Sequence, residues 1–164
     1  MKNININTHI TVFESQSELP VADQELVEAA KEACLKAYAP YSSFNVGAAI
    51  RLANGVIIKG NNQENAAYPS GLCAERVAMF YANSSYPDVA VLGIAVIAMN
   101  DDGVIKNPIA PCGSCRQVLL ETELRMKQEF YTLLIGATEV YKIDSSAALL
   151  PLSFTGEGLK RKKP

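Results

Sequence analysis

Residues Val89 to Met99 read VAVLGIAVIAM, an unbroken apolar run of 11 residues. It is well short of the roughly 20 residues that cross a bilayer. Its richness in Val, Ile and Ala marks a strand buried on both faces, and such a strand needs a layer of structure on either side. The flanking sequence supplies those layers. Upstream, Val46, Ala48 and Ile50 alternate into Asn54-Gly55, a type I′ turn signal, and Val56 to Ile58 follow as the second arm of a β-hairpin. A polar loop from Gly60 to Gly71 leads to a helix from about Cys73 to Asn83, with Pro87 at its far end.

Further out, Leu26, Ala30, Ala33 and Ala37 recur at helical spacing after Pro20, and Pro40 is expected to end that first helix. Downstream of the apolar run, Asp101-Asp102-Gly103 turns the chain and Pro108 and Pro111 bound an irregular loop. A third helix starts near Cys112, carries Val118, Leu119 and Leu124 and ends around Gln128. Tyr131 to Ile135 and Val140 to Ile143 read as two more strands, and Ser145 or Ser146 caps a short helix that Pro151 stops. The order helix, hairpin, helix, strand, helix, two strands describes an α/β layered domain. Before it, Ile4, Ile6, Ile10 and Val12 at even spacing form a strand or extended arm over residues 1–20. Residues 157–164, with Lys160 to Lys163, read as a solvated tail.

The 164 residues fit one domain, 1–164, with no repeat and no linker. Fifteen Lys and Arg stand against 17 Asp and Glu, a net charge of −2, without the basic face that nucleic acid requires. With no membrane span and no continuous apolar leader, the expected location is the cytoplasm. For the four cysteines, Cys34, Cys73, Cys112 and Cys115, a reducing compartment favours thiolate chemistry over disulfides and makes metal binding the first question, with Cys34 inside the first helix packing as a small apolar side chain. His9 is the only histidine; in its alternating segment it reads as a strand or surface residue, which leaves Cys/His and Ser/His/Asp mechanisms without a base.

Pro111-Cys112-Gly113-Ser114-Cys115 places two cysteines three apart at the start of a helix, on one face of it. Alone, the spacing suits either a metal or a redox dithiol. Cys73, which also opens a helix, offers a third thiolate that a dithiol has no use for. Three thiolates leave the fourth tetrahedral position of a zinc ion open to water, the mark of a catalytic site. A closed structural site would need a fourth ligand, and neither Cys34, packed inside a helix, nor His9, in the arm, is well placed to be one. Glu75, two residues after Cys73, is a carboxylate suited to moving protons between that water and a leaving group; a first-turn carboxylate favoured by the helix dipole is the plainer reading. In a regular helix the two side chains would diverge by about 200°, so the catalytic reading needs Cys73 at or before the first turn. Arg76 beside them would offset the excess negative charge of the thiolates by donating to a ligand sulfur, or lies on the surface.

Cys73-Ala74-Glu75-Arg76 with Pro111-Cys112-Gly113-Ser114-Cys115-Arg116-Gln117 resembles the zinc signature of the cytidine deaminases, in the small three-cysteine form that assembles as homotetramers. Tyr41-Ser42-Ser43-Phe44-Asn45-Val46-Gly47-Ala48-Ala49, Asn62-Gln63-Glu64-Asn65-Ala66-Ala67-Tyr68 and Leu149-Leu150-Pro151-Leu152-Ser153-Phe154 follow that family in order and spacing, over residues 22 to 156. The resemblance implies a three-layer fold with a five-stranded mixed sheet flanked by helices. It implies one zinc per chain on Cys73, Cys112 and Cys115, with Glu75 as proton shuttle and Arg76 supporting the metal. Asn62 and Glu64 would bind the ribose 3′-hydroxyl, Phe44 would lie against the pyrimidine, and the backbone near Ala66 and Glu75 would meet its polar edge. Tyr68 and Phe154 would reach a neighbouring subunit's site in a homotetramer with shared active sites. The implied activity is hydrolytic deamination of cytidine and deoxycytidine with release of ammonia, in pyrimidine salvage, on a small nucleoside and without nucleic acid or membrane partners. Asn45 and Gln63 depart from residues usual in the family, and the arm before residue 20 has no counterpart in it. Deamination of an antibiotic or modified cytosine nucleoside is the rival activity, which the Asn62-Gln63-Glu64-Asn65 segment and Arg76 disfavour. A polynucleotide-editing deaminase would need a basic channel that this acidic chain does not offer. A non-enzymatic zinc module is the rival from outside enzymes, and it leaves Glu75, Asn62 and Glu64 together without a purpose.

Overall fold

The structure, a computed structural model, describes residues 1–159. The chain runs through β1 (Thr11–Phe13), α1 (Val21–Cys34), β2 (Asn45–Leu52), β3 (Ile57–Asn61), α2 (Ala74–Ser85), β4 (Val91–Asn100), β5 (Gly103–Val104), α3 (Gly113–Met126), β6 (Tyr131–Ile135) and β7 (Val140–Ile143), joined by loops and short 3₁₀ turns. The strands form one mixed sheet in the order β1-β7-β6-β4-β2-β3, with β5 paired to the end of β4. Among the named strands of the described residues only β4 and β6 are paired in parallel, because α3 crosses between them and returns the chain to the same edge.

The apolar run is the spine of this sheet, and its alternate residues serve two cores. Ala95 and Ile97, with Ala49 and Leu133 of the neighbouring strands, meet Leu26, Val27 and Ala30 of α1 on one face. Ile94 and Val96, with Ala48, Ile50 and Leu134, meet Ala78 and Met79 of α2 and Leu119 of α3 on the other. The result is the expected three-layer α/β/α arrangement.

The five expected strands are present, and two more join them. The N-terminal arm contributes β1, whose Thr11 to Phe13 pair antiparallel with Val140 to Lys142. A short apolar segment satisfies its backbone most readily on an open sheet edge. The turn at Asp101-Asp102 folds Gly103 and Val104 back onto β4 as β5. The hairpin turn also differs from the type I′ expectation: only Gly55 has a positive φ, 86°. Gly55 N–H donates to the Leu52 carbonyl and Leu52 N–H to that of Val56, both at 2.9 Å, the pattern of a type I turn closed by a left-handed glycine. Helix α1 ends at Cys34, before Ala37 and Pro40, and Leu124 of α3 is exposed. The expected short helix after Ser145 is a 3₁₀ turn, Ser146–Leu149, without a side-chain cap. Lys160 to Lys163 lie outside the described residues.

One close approach sets the position of the later site. A Cβ at Gly60 on β3 would lie 2.6 Å from the Ala74 carbonyl and 2.5 Å from the Ala78 nitrogen, so the strand backbone presses directly on the first turn of α2. That contact fixes where α2 begins, and Cys73 is its N-cap.

Candidate active site and metal centre

Cys73 caps α2 with extended backbone angles, φ −70° and ψ 152°. The chain is not yet helical there, so Cys73 and Glu75 are free of the divergence a regular helix would impose. Cys112 caps α3 in the same way, φ −66° and ψ 166°, and Cys115 follows in its first turn. Two helix N-termini thus converge on one point, each favouring negative charge. The Sγ atoms of Cys73, Cys112 and Cys115 lie within 4.8 Å of one another, at 3.9 Å between Cys73 and Cys112 and 3.5 Å between Cys112 and Cys115. Cys34 is elsewhere, buried in α1 with its thiol on the Asn45 carbonyl, where burial pushes its pKa up to about 11. His9 is exposed in the arm.

Electrostatics single out Cys73 among the three. Hydrogen bonding from Cys115, then from Arg76 and Cys112, holds its thiol well below the ordinary value, while Cys115 is pushed up as the donor of that pair. Arg76 Nη2 stands 3.8 Å from Cys73 Sγ, and Arg76 Nε is buried without a hydrogen-bond partner among the described residues. Glu75 is 5% exposed. Burial raises its carboxyl above the usual range, and the charge of Cys73 adds to the effect. A carboxyl shifted toward neutrality is suited to taking up and returning a proton.

The donor set fits zinc. Bonds of about 2.3 Å to three tetrahedral sulfurs separate those sulfurs by about 3.8 Å, close to the spacing present here, and Arg76 supplies the cation that an anionic cluster of thiolates calls for.

In front of the cluster opens a cavity of about 690 Å³, of a size that takes small organic ligands. Cys73, Glu75 and Cys112 form part of its lining, Phe44, Val46, Val96 and Ala98 give it apolar walls, and Asn62, Glu64 and Tyr68 line it as well. Asn62 is held from two sides, its Oδ1 accepting from Val46 N–H at 2.7 Å and its Nδ2 donating to the Phe44 carbonyl at 2.9 Å. It therefore ties the polar loop to the start of β2 and to Phe44 just before it. Glu64 accepts from the backbone of Tyr41 and Ser42 and from Ser42 Oγ, and these donors hold its carboxyl below the usual range.

Two expected contacts lie apart from this cavity within the chain. Ala66 sits in the exposed loop beyond Asn65 and Phe154 is 67% exposed; neither lines the cavity. Tyr68 is exposed at the rim, its ring 6.2 Å from that of Tyr41 in an edge arrangement. Ile109 and Ala110 form a wall that sequence reasoning passed over; the signal was an apolar pair fenced by Pro108 and Pro111.

A family model described as the cytidine and deoxycytidylate deaminase zinc-binding region matches residues 20–131. The chain belongs to this deaminase family. It is 40% identical over 136 residues to a cytidine deaminase of Halalkalibacterium halodurans, covering 83% of this chain and 96% of that protein. It is 38% identical over 136 residues to one from Sporosarcina psychrophila, covering 83% and 93%. A crystal structure of cytidine deaminase from Burkholderia pseudomallei superposes with a TM-score of 0.68 at 41% identity, over 79% of this chain and 97% of that one. As a cytidine deaminase family member the chain is an enzyme, a hydrolase acting on C–N bonds. Its three-cysteine cluster corresponds to the zinc site of that family. Among the described residues no helix is long and apolar enough to cross a membrane.

Proposed function

We propose that the protein deaminates cytidine and deoxycytidine to the uridine forms with release of ammonia, as a cytoplasmic, zinc-dependent enzyme of pyrimidine salvage. The observation that carries the reading is Glu75, a buried carboxyl beside three converging thiols, in the lining of a cavity that Asn62 and Glu64 also line. Cys73, Cys112 and Cys115 would hold the metal, which when bound supplies Lewis-acid activation of water. Glu75 accepts a proton as the attacking water is activated and delivers it to N3 of the pyrimidine; it then takes the second proton from the hydroxyl now on C4 and gives it to the departing amine, so that ammonia leaves as the C4 carbonyl forms. Arg76 offsets the charge of the thiolates, so they weaken the metal less. Phe44 packs on the ring face, and its apolar neighbours exclude water from the site, which strengthens every electrostatic contact inside. The backbone at Glu75, and at Asn65 next to Ala66, meets the polar edge of the base.

Asn62 and Glu64 receive the ribose 3′-hydroxyl, an amide donor and a carboxylate acceptor being able to serve one OH. Tyr68 and Phe154 complete the site of an adjacent copy in a homotetramer; a large aromatic left exposed suits that role better than a place in its own core.

The test is loss of cytosine absorbance when the purified protein meets cytidine, cytosine and CMP separately. Cytidine should react, the free base hardly at all, and the nucleotide poorly, because among the described residues no cluster of cations lines the cavity to receive a phosphate. Equal rates on all three would contradict nucleoside recognition.

The ribose contact makes its own prediction. Glu64→Ala should weaken processing of cytidine by roughly 1–3 kcal/mol, about 5- to 150-fold in kcat/KM, and matter far less for 3′-deoxycytidine, which already lacks the hydroxyl. Because one lost pairing cannot be lost twice, equal losses on both substrates would assign Glu64 to holding the Tyr41-Ser42 backbone instead.

A further inference from the structure

Three side chains of α3, the helix that starts at the metal cluster, reach out to a distant part of the chain. Glu123 is 5% exposed and accepts four hydrogen bonds: from the backbone of Phe130 (3.0 Å), Ser146 (2.7 Å) and Ala147 (2.9 Å), and from Ser145 Oγ (3.1 Å). A carboxylate so fully supplied with donors tolerates burial without a cation. Near the start of α3, Arg116 Nε donates to the Pro111 carbonyl at 2.7 Å and Nη1 to that of Leu149 at 2.8 Å, linking the residue before Cys112 to the same distant segment. Beside it, Gln117 Nε2 donates to the Phe154 carbonyl at 3.1 Å.

Residues 145 to 154 therefore form a strap along α3, pinned by Glu123, Arg116 and Gln117. Between the last two pins the strap turns a left-handed corner at Leu152, φ 53°, with its side chain in solvent. A non-glycine residue keeps such a conformation only where the chain on either side is held. The residue at the pinned end is Phe154.

We propose that Gln117 and Glu123 are positioning residues for the reaction: they fix on α3 the strap that presents the Phe154 ring to the site of a neighbouring copy. The inference rests on the reading of Phe154 given under Proposed function. Neither residue touches substrate. Their effect is to spare the ring the entropy of being ordered on each binding event, and α3 is a suitable base because it also carries Cys115. Cluster and strap then move as one body.

The experiment is a double-mutant cycle on cytidine turnover with the zinc-loaded, full-length protein. Gln117→Met keeps the length of the side chain and removes the donor. It should raise KM about twofold to tenfold, the worth of one neutral hydrogen bond, with kcat and zinc content close to those of the parent. In a Phe154→Ala background, where KM is already raised, the same substitution should add nothing. Glu123→Gln turns an amide donor toward groups that are themselves donors, so it should raise KM in the same manner and lower Tm; should it fail to fold, Gln117→Met decides alone. A Gln117→Met loss of equal size in both backgrounds overturns the inference. So does no loss at all while Phe154→Ala is impaired, and the reading of Phe154 then stands. If Phe154→Ala itself matches the parent in KM and kcat, that reading fails and takes the inference with it.

Discussion

Glu75→Gln should keep its zinc and lose two to four orders of magnitude in turnover. The amide preserves the size of the carboxyl and much of its hydrogen bonding, but it cannot take up and return a proton, and general acid–base transfer alone is worth about 10²–10⁴ in rate. The residue is 5% exposed, and burial already raises its carboxyl toward neutrality. Removing the charge should therefore not harm folding; it relieves a desolvation cost. Zinc by elemental analysis, KM for cytidine and the single-turnover rate separate the possibilities. Parent-like turnover in a zinc-loaded variant would reduce Glu75 to a first-turn carboxylate favoured by the helix dipole.

Cys112→Ala should lower zinc from about one per chain to a small fraction, and activity with it. Apparent binding energies of structural zinc sites, roughly 10–16 kcal/mol over four ligands, put one ligand at about 3–4 kcal/mol, on the order of 10²–10³ in affinity. The fold should survive, because Cys112 is exposed at the N-cap of α3 and neither core cluster includes it. Cys34→Ala is the matched control: Cys34 lies outside the cluster, bonded to the Asn45 carbonyl, and zinc content should be that of the parent. Full zinc retention without Cys112 would place the metal on other ligands.

Much of the site was legible because its chemistry is written in residue types that are scarce and closely spaced. With one histidine and four cysteines in the chain, the pairing of Cys73 with Cys112-Gly113-Ser114-Cys115 left few ways to build a metal centre. The need for Cys73 to precede the helix was itself a stereochemical statement, and its extended N-cap angles meet it. The apolar run announced a central strand, since only a strand covered on both faces loses alternation. Ile94 and Val96 face one core while Ala95 and Ile97 face the other.

What escaped were the relations between segments far apart in sequence. A type I′ turn and a type I turn closed by a left-handed glycine share the Asn54-Gly55 signal, and the choice lay in the backbone bonds of Leu52 and Val56. The pairing of the arm with β7 depends on an edge left open by the rest of the sheet, which local pattern does not reveal. Nothing in the local sequence separates Glu123 from a charge on a helix surface. Its burial follows from donors at residues 130 and 145 to 147, brought to it by the turn after α3 and the return of β7.

By itself, then, the sequence determined which residue types meet at the site, where the three long helices and the five main strands run, and that the sheet is covered on both sides, because composition, spacing and periodicity are local quantities. Only the tertiary structure decided that the three sulfurs come within 4.8 Å, that Asn62 braces Phe44, and that α3 holds the strap ending at Phe154. Each of these is a distance between segments tens of residues apart, set by the packing of backbone on backbone, as at Gly60 against α2, and such packing is decided only when the layers close.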